Sequence, residues 1–418
     1  MNRLSISIFV AVLLIVVSAV SYWLFAPEIV TKWSELMSHE INSAVLPMEA
    51  ETTQSYDGSS EVNGNQKDVW RVEERQLSNS LVLDQVFFLD ERVAFATSYD
   101  KWVTAVHTTS DGGRTWQKLG ELQDLSVDDF AFISPDVGYA IAAKLRPSSF
   151  PHENGSVIMK TIDGGKAWTI VYTELNASFY KIGFNAQQTG VVVGRSFPEP
   201  YGADHLVLLS KDGGSSWQNI AEQLNKVEVS PMGQVADTST DFLFSEGEGL
   251  IVLSSEGKIY NTLDQGTSWK LISKIFNEPP QTGISRFGRL DDGRFWLSGG
   301  AISIEGNWGV LAVTNGKYRW NRFRLGGYYF SDMCFFSTTS VIAIGAKVGK
   351  GNFGGDNESN RGVILTSEDG GKTWKTIYES SKSTHLISIK PLSESKYQIL
   401  GNKGIVLTLS KVPRPQSF

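Results

Sequence analysis

One cysteine in 418 residues, Cys334, rules out an internal disulfide, so this chain must be held together by packing. In Asp332-Met333-Cys334-Phe335 it reads as a small core residue of a strand. Histidine is nearly as scarce: His39, His107, His152, His205 and His385 lie in separate segments, with no paired spacing for zinc. No glycine-rich loop opens a helix to cradle phosphate, and the sequence implies neither cofactor nor metal. Basic residues number 38 against 45 acidic ones, and the net charge of −7 argues against a nucleic-acid surface. Helical periodicity is close to absent over most of the chain, which excludes a helical bundle.

What the sequence has instead is repetition. The stretch Ser367-Glu368-Asp369-Gly370-Gly371-Lys372-Thr373-Trp374 recurs, with Asp111 and Trp116, Asp163 and Trp168, Asp212 and Trp217, and Asp264 and Trp269 in the same places. A worn copy ends at Trp320, where Asn315 replaces the Asp and Lys317 the Gly. From Trp116 onward the tryptophans stand 52, 49, 52, 51 and 54 residues apart, the period of a repeat architecture. A further step would overrun Phe418, whereas 46 residues before Trp116 lies Trp70, in the strand-like Val69-Trp70-Arg71-Val72. The last unit can therefore take its final strand from the start of the domain, which closes a ring of seven.

Each unit reads as four short strands bounded by turn clusters. In the sixth these cover residues 330–336, 341–346, 362–366 and 374–378. A second marker, Phe88, Phe132, Phe184, Phe244, Phe287, Phe336 and Ile389, is expected near the middle of each first strand. The fold class is thus all-β, a seven-bladed β-propeller over residues 68–412 closed by an N-terminal strand, with a tail at 413–418. In the repeated turn, Asp is expected to accept hydrogen bonds from backbone N–H groups two residues on, Gly to supply positive φ, and Trp to anchor the fourth strand. Each of these aspartates is a lone carboxylate in its own turn, whereas calcium needs several converging oxygens.

These turns resemble those of the bacterial neuraminidase repeat, or Asp-box, family of propellers. The wording Asp-Gly-Gly-Lys/Arg-Thr-Trp, the period and the lead-in Asp136-Val137-Gly138-Tyr139-Ala140-Ile141 look most like its photosystem II assembly and stability factor branch. The resemblance covers residues 68–412. It implies a protein that holds a partner chain against an arginine-rich surface; in this sequence only Arg195 directly follows a second strand.

Ahead of the propeller, residues 4–26 form an uncharged apolar run of twenty-three residues, long enough to cross a bilayer. Arg3 precedes it, so the tail within 1–26 is expected in the cytoplasm and the propeller outside. The competing reading is a signal peptide cut after Val17-Ser18-Ala19; the length of the run and Tyr22-Trp23 at its end favour a retained anchor. No cysteine ends the run to take a lipid, a departure from lipid-anchored relatives. Residues 27–47 carry an apolar stripe between Pro27 and Pro47, either a helix on the membrane surface or one packed on the propeller. Residues 48–67 are acidic and Ser/Gly/Asn-rich, a flexible tether spanning roughly 25 Å.

A site is expected where loops are long. Connections between second and third strands open on the face opposite the repeated turns, and those at residues 144–155, 194–204 and 347–361 are the longest. They gather Lys144, Arg146, Phe150, His152, Arg195, Phe197, Tyr201, Lys347, Lys350, Phe353 and Arg361, with Lys403 in a shorter loop. Such a rim suits an acidic peptide or an anionic glycan. Glu153, Glu199, Asp204, Asp356 and Glu358 in the same loops support the plainer reading of scattered solvated charge.

Sialidases also carry Asp-boxes, so a glycan-active protein, either a glycoside hydrolase or a polysaccharide-binding module, is the alternative. It would need an arginine cluster, an acid and a Tyr nucleophile. The Arg-Ile-Pro signature is absent, sialidases have six blades, and only Arg286, Arg289, Arg294 and Arg361, with Tyr328 or Tyr329, are on offer. The pairs Asp128-Asp129 and Asp291-Asp292 read as strand-edge and turn residues. The sequence thus points to a non-enzymatic scaffold or assembly factor, single-pass in the inner membrane with its propeller on the periplasmic or extracellular side. Its expected partner is a membrane protein or an exposed segment of one.

Overall fold

Runs rich in β-branched and aromatic residues, punctuated by Gly and Asp, fold as seven four-stranded antiparallel sheets. They are seen in a computed structural model that describes residues 69–76, 83, 85–100, 103–113, 115–144, 155–197, 203–227, 238–245, 247–275, 282–303, 306–315, 319–348 and 360–412. The expected membrane segment, amphipathic helix, tether and C-terminal tail lie outside the described residues. Among those described, no helix is long and apolar enough to cross a membrane.

The sheets follow one another as blades. Blade 1 comprises Gln85–Phe88, Ala94–Asp100, Val103–Thr109 and Gln117–Gln123, and blade 6 comprises Tyr328–Phe335, Val341–Lys347, Arg361–Ser367 and Lys375–Ser383, close to the sequence reading. The first strands, which in blades 2 to 7 are Leu125–Phe132, Ala177–Phe184, Ser239–Phe244, Thr282–Arg289, Tyr328–Phe335 and Leu386–Ser393, contact one another in succession from blade 1 to blade 7. Second and third strands are buried almost throughout, because a blade is covered on both faces by its neighbours. The core is accordingly segmented. One cluster joins Tyr139 and Ile158 of blade 2 to Phe179, Val192 and Leu206 of blade 3, and another joins Phe88 and Ala94 of blade 1 to Leu400 and Val406 of blade 7.

Closure follows the expected route. Val69–Gln76 is the outermost strand of blade 7, antiparallel to Ile405–Val412, with Trp70 opposite Lys411. The Trp70 ring packs against Phe336 and Tyr397, at centroid distances of 5.7 and 6.1 Å.

The repeated turns share one geometry. Asp369 accepts from the hydroxyl of Ser367, two residues before it, and from Lys372 N, Thr373 N and Thr373 Oγ1; the Ser367 hydroxyl accepts from Gly371 N. Asp111, Asp163, Asp212 and Asp264 repeat the pattern, so the donors stand three and four residues on, not two as expected. Hydrogen bonds from Ser216 and Thr373 hold the carboxyls of Asp212 and Asp369 down to about 2. The turns also dock on the first-to-second turns: Gly112 N donates to Arg92 O, Gly164 N to Asp136 O and Gly370 N to Thr339 O. The tryptophans differ in their polar contacts. Trp168 and Trp374 donate to their own turns, whereas Trp269 and Trp320 donate to Ile220 O and Ser273 Oγ of the preceding blade.

Candidate functional site

The inner edges of the blades carry a pattern that repeats in space. Each first strand of blades 1 to 6 ends at a pair, such as Phe132 with Gly138 or Phe335 with Val341, and counting back three residues from that end, or in blade 7 from Pro391 ahead of its second register shift, gives equivalent positions around the axis. They are Gln85, Asp129, Lys181, Asp241, Arg286, Asp332 and Ser388. In blades 2 to 7 a register shift immediately precedes this position, leaving Asp128, Tyr180, Thr240, Ser285, Ser331 and Ile387 as the extra residues. Such a bulge re-aims the side chain that follows it.

An innermost strand has backbone donors with no further strand to accept them. The three aspartates answer this in one way. Oδ1 accepts from the next residue of its own strand: Phe130 N to Asp129 at 2.9 Å, Phe242 N to Asp241 at 2.8 Å and Met333 N to Asp332 at 2.8 Å. Oδ2 accepts from the following blade: Ile182 N at 3.1 Å, Phe287 N at 3.3 Å and Ile389 N at 3.1 Å. Each carboxylate therefore pins two blades. The basic positions fall between them, and Lys181 pairs with Asp241.

Beside this ring lies an axial cavity of about 450 Å3, bordered by the inner strands of blades 7, 1 and 2 and reaching Lys181 and Arg286. Its charged lining is Lys181, Arg286, Lys390 and Asp129. Burial pushes the carboxyls of Asp129 and Asp332 up, with Arg286 pulling both the other way. Burial also works against the charge of Arg286, but Asp241, Asp332 and Asp129 outweigh it and hold the guanidinium above its ordinary value. Asp128, the extra residue of its bulge, is pushed up to about 6 by burial and by Asp129. His385, bonded through Nε2 to Ser331 Oγ at 2.5 Å, is pushed down to about 4 by burial. Among the described residues no group of His, Cys, Asp and Glu is placed to hold a metal ion.

The residues expected on the loop face are only partly brought together. Arg195, within the strand Gly190–Ser196, sits over the rings of Tyr180 and Phe197 at 5.9 and 4.7 Å, so it faces the axial mouth. Lys347 turns outward to Glu379 at 3.3 Å, and Arg361 donates to Asn360 O at 3.0 Å. Lys144 ends the strand Gly138–Lys144. Lys403 belongs to a 3-10 turn, Asn402–Gly404, with its side chain outside the described residues, where Arg146, His152, Tyr201, Lys350 and Phe353 also lie. The four arginines weighed for a sialidase do not converge: Arg289 ends a first strand beside Gly293 and Arg294 binds Asp292 and Thr338 O, both among the first-to-second turns, whereas Arg361 begins a third strand on the other face and Arg286 lies on the axis. Cys334 is a packing residue, its thiol pushed up to about 12 by burial and by Asp332.

The axial ring itself was missed, and the reason is specific. The apolar markers chosen from sequence slip in phase: Phe287 and Ile389 stand two residues before the true strand-end equivalents Arg289 and Pro391, and Phe336 one residue after Phe335. They also mark strand ends more often than strand middles. Aligned on the ends, Asp-Phe, Lys-Ile, Asp-Phe, Arg-Phe and Asp-Met at 129, 181, 241, 286 and 332 would have shown the alternation. Asp129, read as a strand-edge residue, is instead a bridge between blades, whereas Asp292 is a turn residue as expected.

Comparison with known proteins agrees with this geometry. The profile of the family described as photosynthesis system II assembly factor YCF48 matches residues 129–341. The photosystem II assembly lipoprotein Ycf48 of Synechococcus sp. (strain CC9902) is 24% identical over 322 residues, 72% of this chain and 78% of that protein. The photosystem II assembly protein Ycf48 of Thermosynechococcus vestitus is 24% identical over 214 residues, 48% of this chain; the match spans only 50% of that relative's length. Among solved structures, one described as YCF48 bound to D1 peptide shares the fold, with a TM-score of 0.53 and 20% identity over 84% of this chain and 98% of its own. With the profile covering half of the sequence and the seven blades in place, the chain belongs to the photosynthesis system II assembly factor YCF48 family.

Proposed function

We propose that this chain is a protein-binding assembly factor that presents its axial mouth, on the face of the second-to-third loops, to a segment of a membrane-protein partner. The observation carrying the reading is the mouth itself: Tyr180 and Ile387 are exposed beside the charged axis, with Arg195 stacked on Tyr180. Aromatic and arginine side chains of this kind anchor protein interfaces. The relatives support it, one being named as an assembly protein and another as bound to a peptide. Within this proposal, the repeated turns are Asp-boxes that brace the opposite face, and residues 1–67 anchor the propeller on the outer side of the inner membrane. Lys144, Lys347 and Arg361 belong to the outer part of the binding face. We read the protein as a binder and not an enzyme, because the arginines a sialidase would need lie apart.

The test is photocrosslinking of the full-length chain in its native membrane. A crosslinking side chain at Tyr180 or Ile387 is expected to capture one membrane protein, and the same group at Ile162 or Leu263, exposed in the repeated turns of the other face, to capture far less of it. Equal capture from both faces would overturn the assignment.

A further inference from the structure

We propose that the axial cavity is a carboxylate-binding site, in which the guanidinium of Arg286 grips an anionic carboxyl group while Lys390 and Lys181 add positive charge. The inference deepens the proposed function by naming the group a partner would insert, and it rests on that reading only for the source of the carboxylate.

Asp129, Asp241 and Asp332 each give both oxygens to backbone N–H groups, and Asp241 also holds Lys181. Arg286 thus feels three carboxylates as a field, while no described residue accepts a hydrogen bond from its guanidinium. A guanidinium carries five N–H donors in a planar fork that matches a carboxylate in bidentate fashion. Arg286 lines the cavity.

The cavity lies where the alternation of acid and base lapses. Blades 2 to 6 carry Asp129, Lys181, Asp241, Arg286 and Asp332, but blades 7 and 1 carry Ser388 and Gln85, both facing this cavity. Lys390 stands on this arc, its ammonium donating to Phe88 O at 2.5 Å and Leu89 O at 3.1 Å and drawn toward Asp90. The lining itself carries three cations and the single carboxylate of Asp129, which is held by two N–H donors, while Asp241 and Asp332 act on Arg286 from the neighbouring ring positions. A guest carboxylate would occupy the gap between Asp332 and Asp129, where Ser388 and Gln85 supply neither acid nor base. Phe88, Ile182 and Leu400 supply apolar walls that limit access of water and strengthen the attraction.

Two sources share this chemistry, a chain-terminal or side-chain carboxyl of a partner and a free small acid. Calorimetric titration of the full-length protein with acetyl-tetraalanine bearing a free carboxyl end, its amide, and succinate tests the site and separates them. The free-acid peptide or succinate is expected to bind, the amide at least tenfold more weakly. Arg286→Gln is expected to cost at least tenfold. Ser388→Asp, which places a resident carboxylate in the lapse, is expected to abolish binding and guards against misfolding of the first variant. A tighter peptide assigns the site to a partner chain, and an equal or tighter succinate to a free acid. No binding by either acid, equal binding of acid and amide, or full affinity in both variants would overturn the proposal. The titration uses purified protein, so its failure leaves the crosslinking result standing, and failed crosslinking leaves the titration standing.

Discussion

Asp129, Asp241 and Asp332 serve as brackets: each closes an edge donor on its own strand and another on the next blade. Asp241 carries the greatest burden, being 3% exposed and paired with Lys181. Asp241→Ala is therefore expected to cost about 3 kcal/mol in urea unfolding, because it leaves a partly buried ammonium without its counter-charge. Two other groups predict the response to acid. His385, pushed down to about 4, takes up a proton less readily folded than unfolded, so its neutral form stabilises the fold above about 6.5 and that contribution is lost as pH falls toward 4. Asp128, pushed up to about 6, behaves oppositely and favours the folded state as pH falls from 6 toward 4. The two slopes offset one another, and Asp128→Asn should expose a loss of about 1–2 kcal/mol between pH 7 and pH 5. His385→Gln should remove that loss; urea midpoints at the two pH values for both variants would check it. None of this was legible in the sequence, since a single Asp or His reveals its partners only once the blades are in register.

At the scale of the strand, the bulge is the device that aims the bracket, and its partner strand must yield space. Gly194, Gly299 and Gly345 stand opposite the bulged segments, where a Cβ on Gly345 would overlap the Tyr329 carbonyl oxygen. Gly345→Ala is expected to cost about 3 kcal/mol through overpacking and to push Asp332 off Ile389. Faster amide exchange at Ile389 than at Ile182, whose bracket is untouched, would report it. The strands and turns themselves were readable because the wording repeats five times: Asp, Gly and Trp stand at fixed offsets, and local hydrogen bonds need no distant partner. The loops at 144–155, 194–204 and 347–361 were readable only as lengths. Composition gives no direction, and Lys347 and Arg195 prove to point to the rim and to the axis.

For the whole molecule, closure was legible from one number, the 46-residue step back to Trp70, because a ring short of a strand has to find it at the other end of the chain. Trp70→Ala is expected to cost about 3 kcal/mol, the range for removing a large aromatic from a packed site. Hydrogen exchange should rise together in Val69–Gln76 and Ile405–Val412 while blades 2 to 5 keep their protection; an unchanged C-terminal strand would refute it.

The number of blades has a consequence of its own. Two kinds of residue cannot alternate perfectly round a circle of odd count, as a seven-place necklace of black and white beads must somewhere set like beside like or leave a bead blank. The odd count forces one such lapse, and this ring has two blanks side by side, Gln85 and Ser388, in blades 1 and 7 where the chain's ends meet. A six- or eight-bladed ring built on the same rule could neutralise itself completely and would have no vacancy to offer a guest.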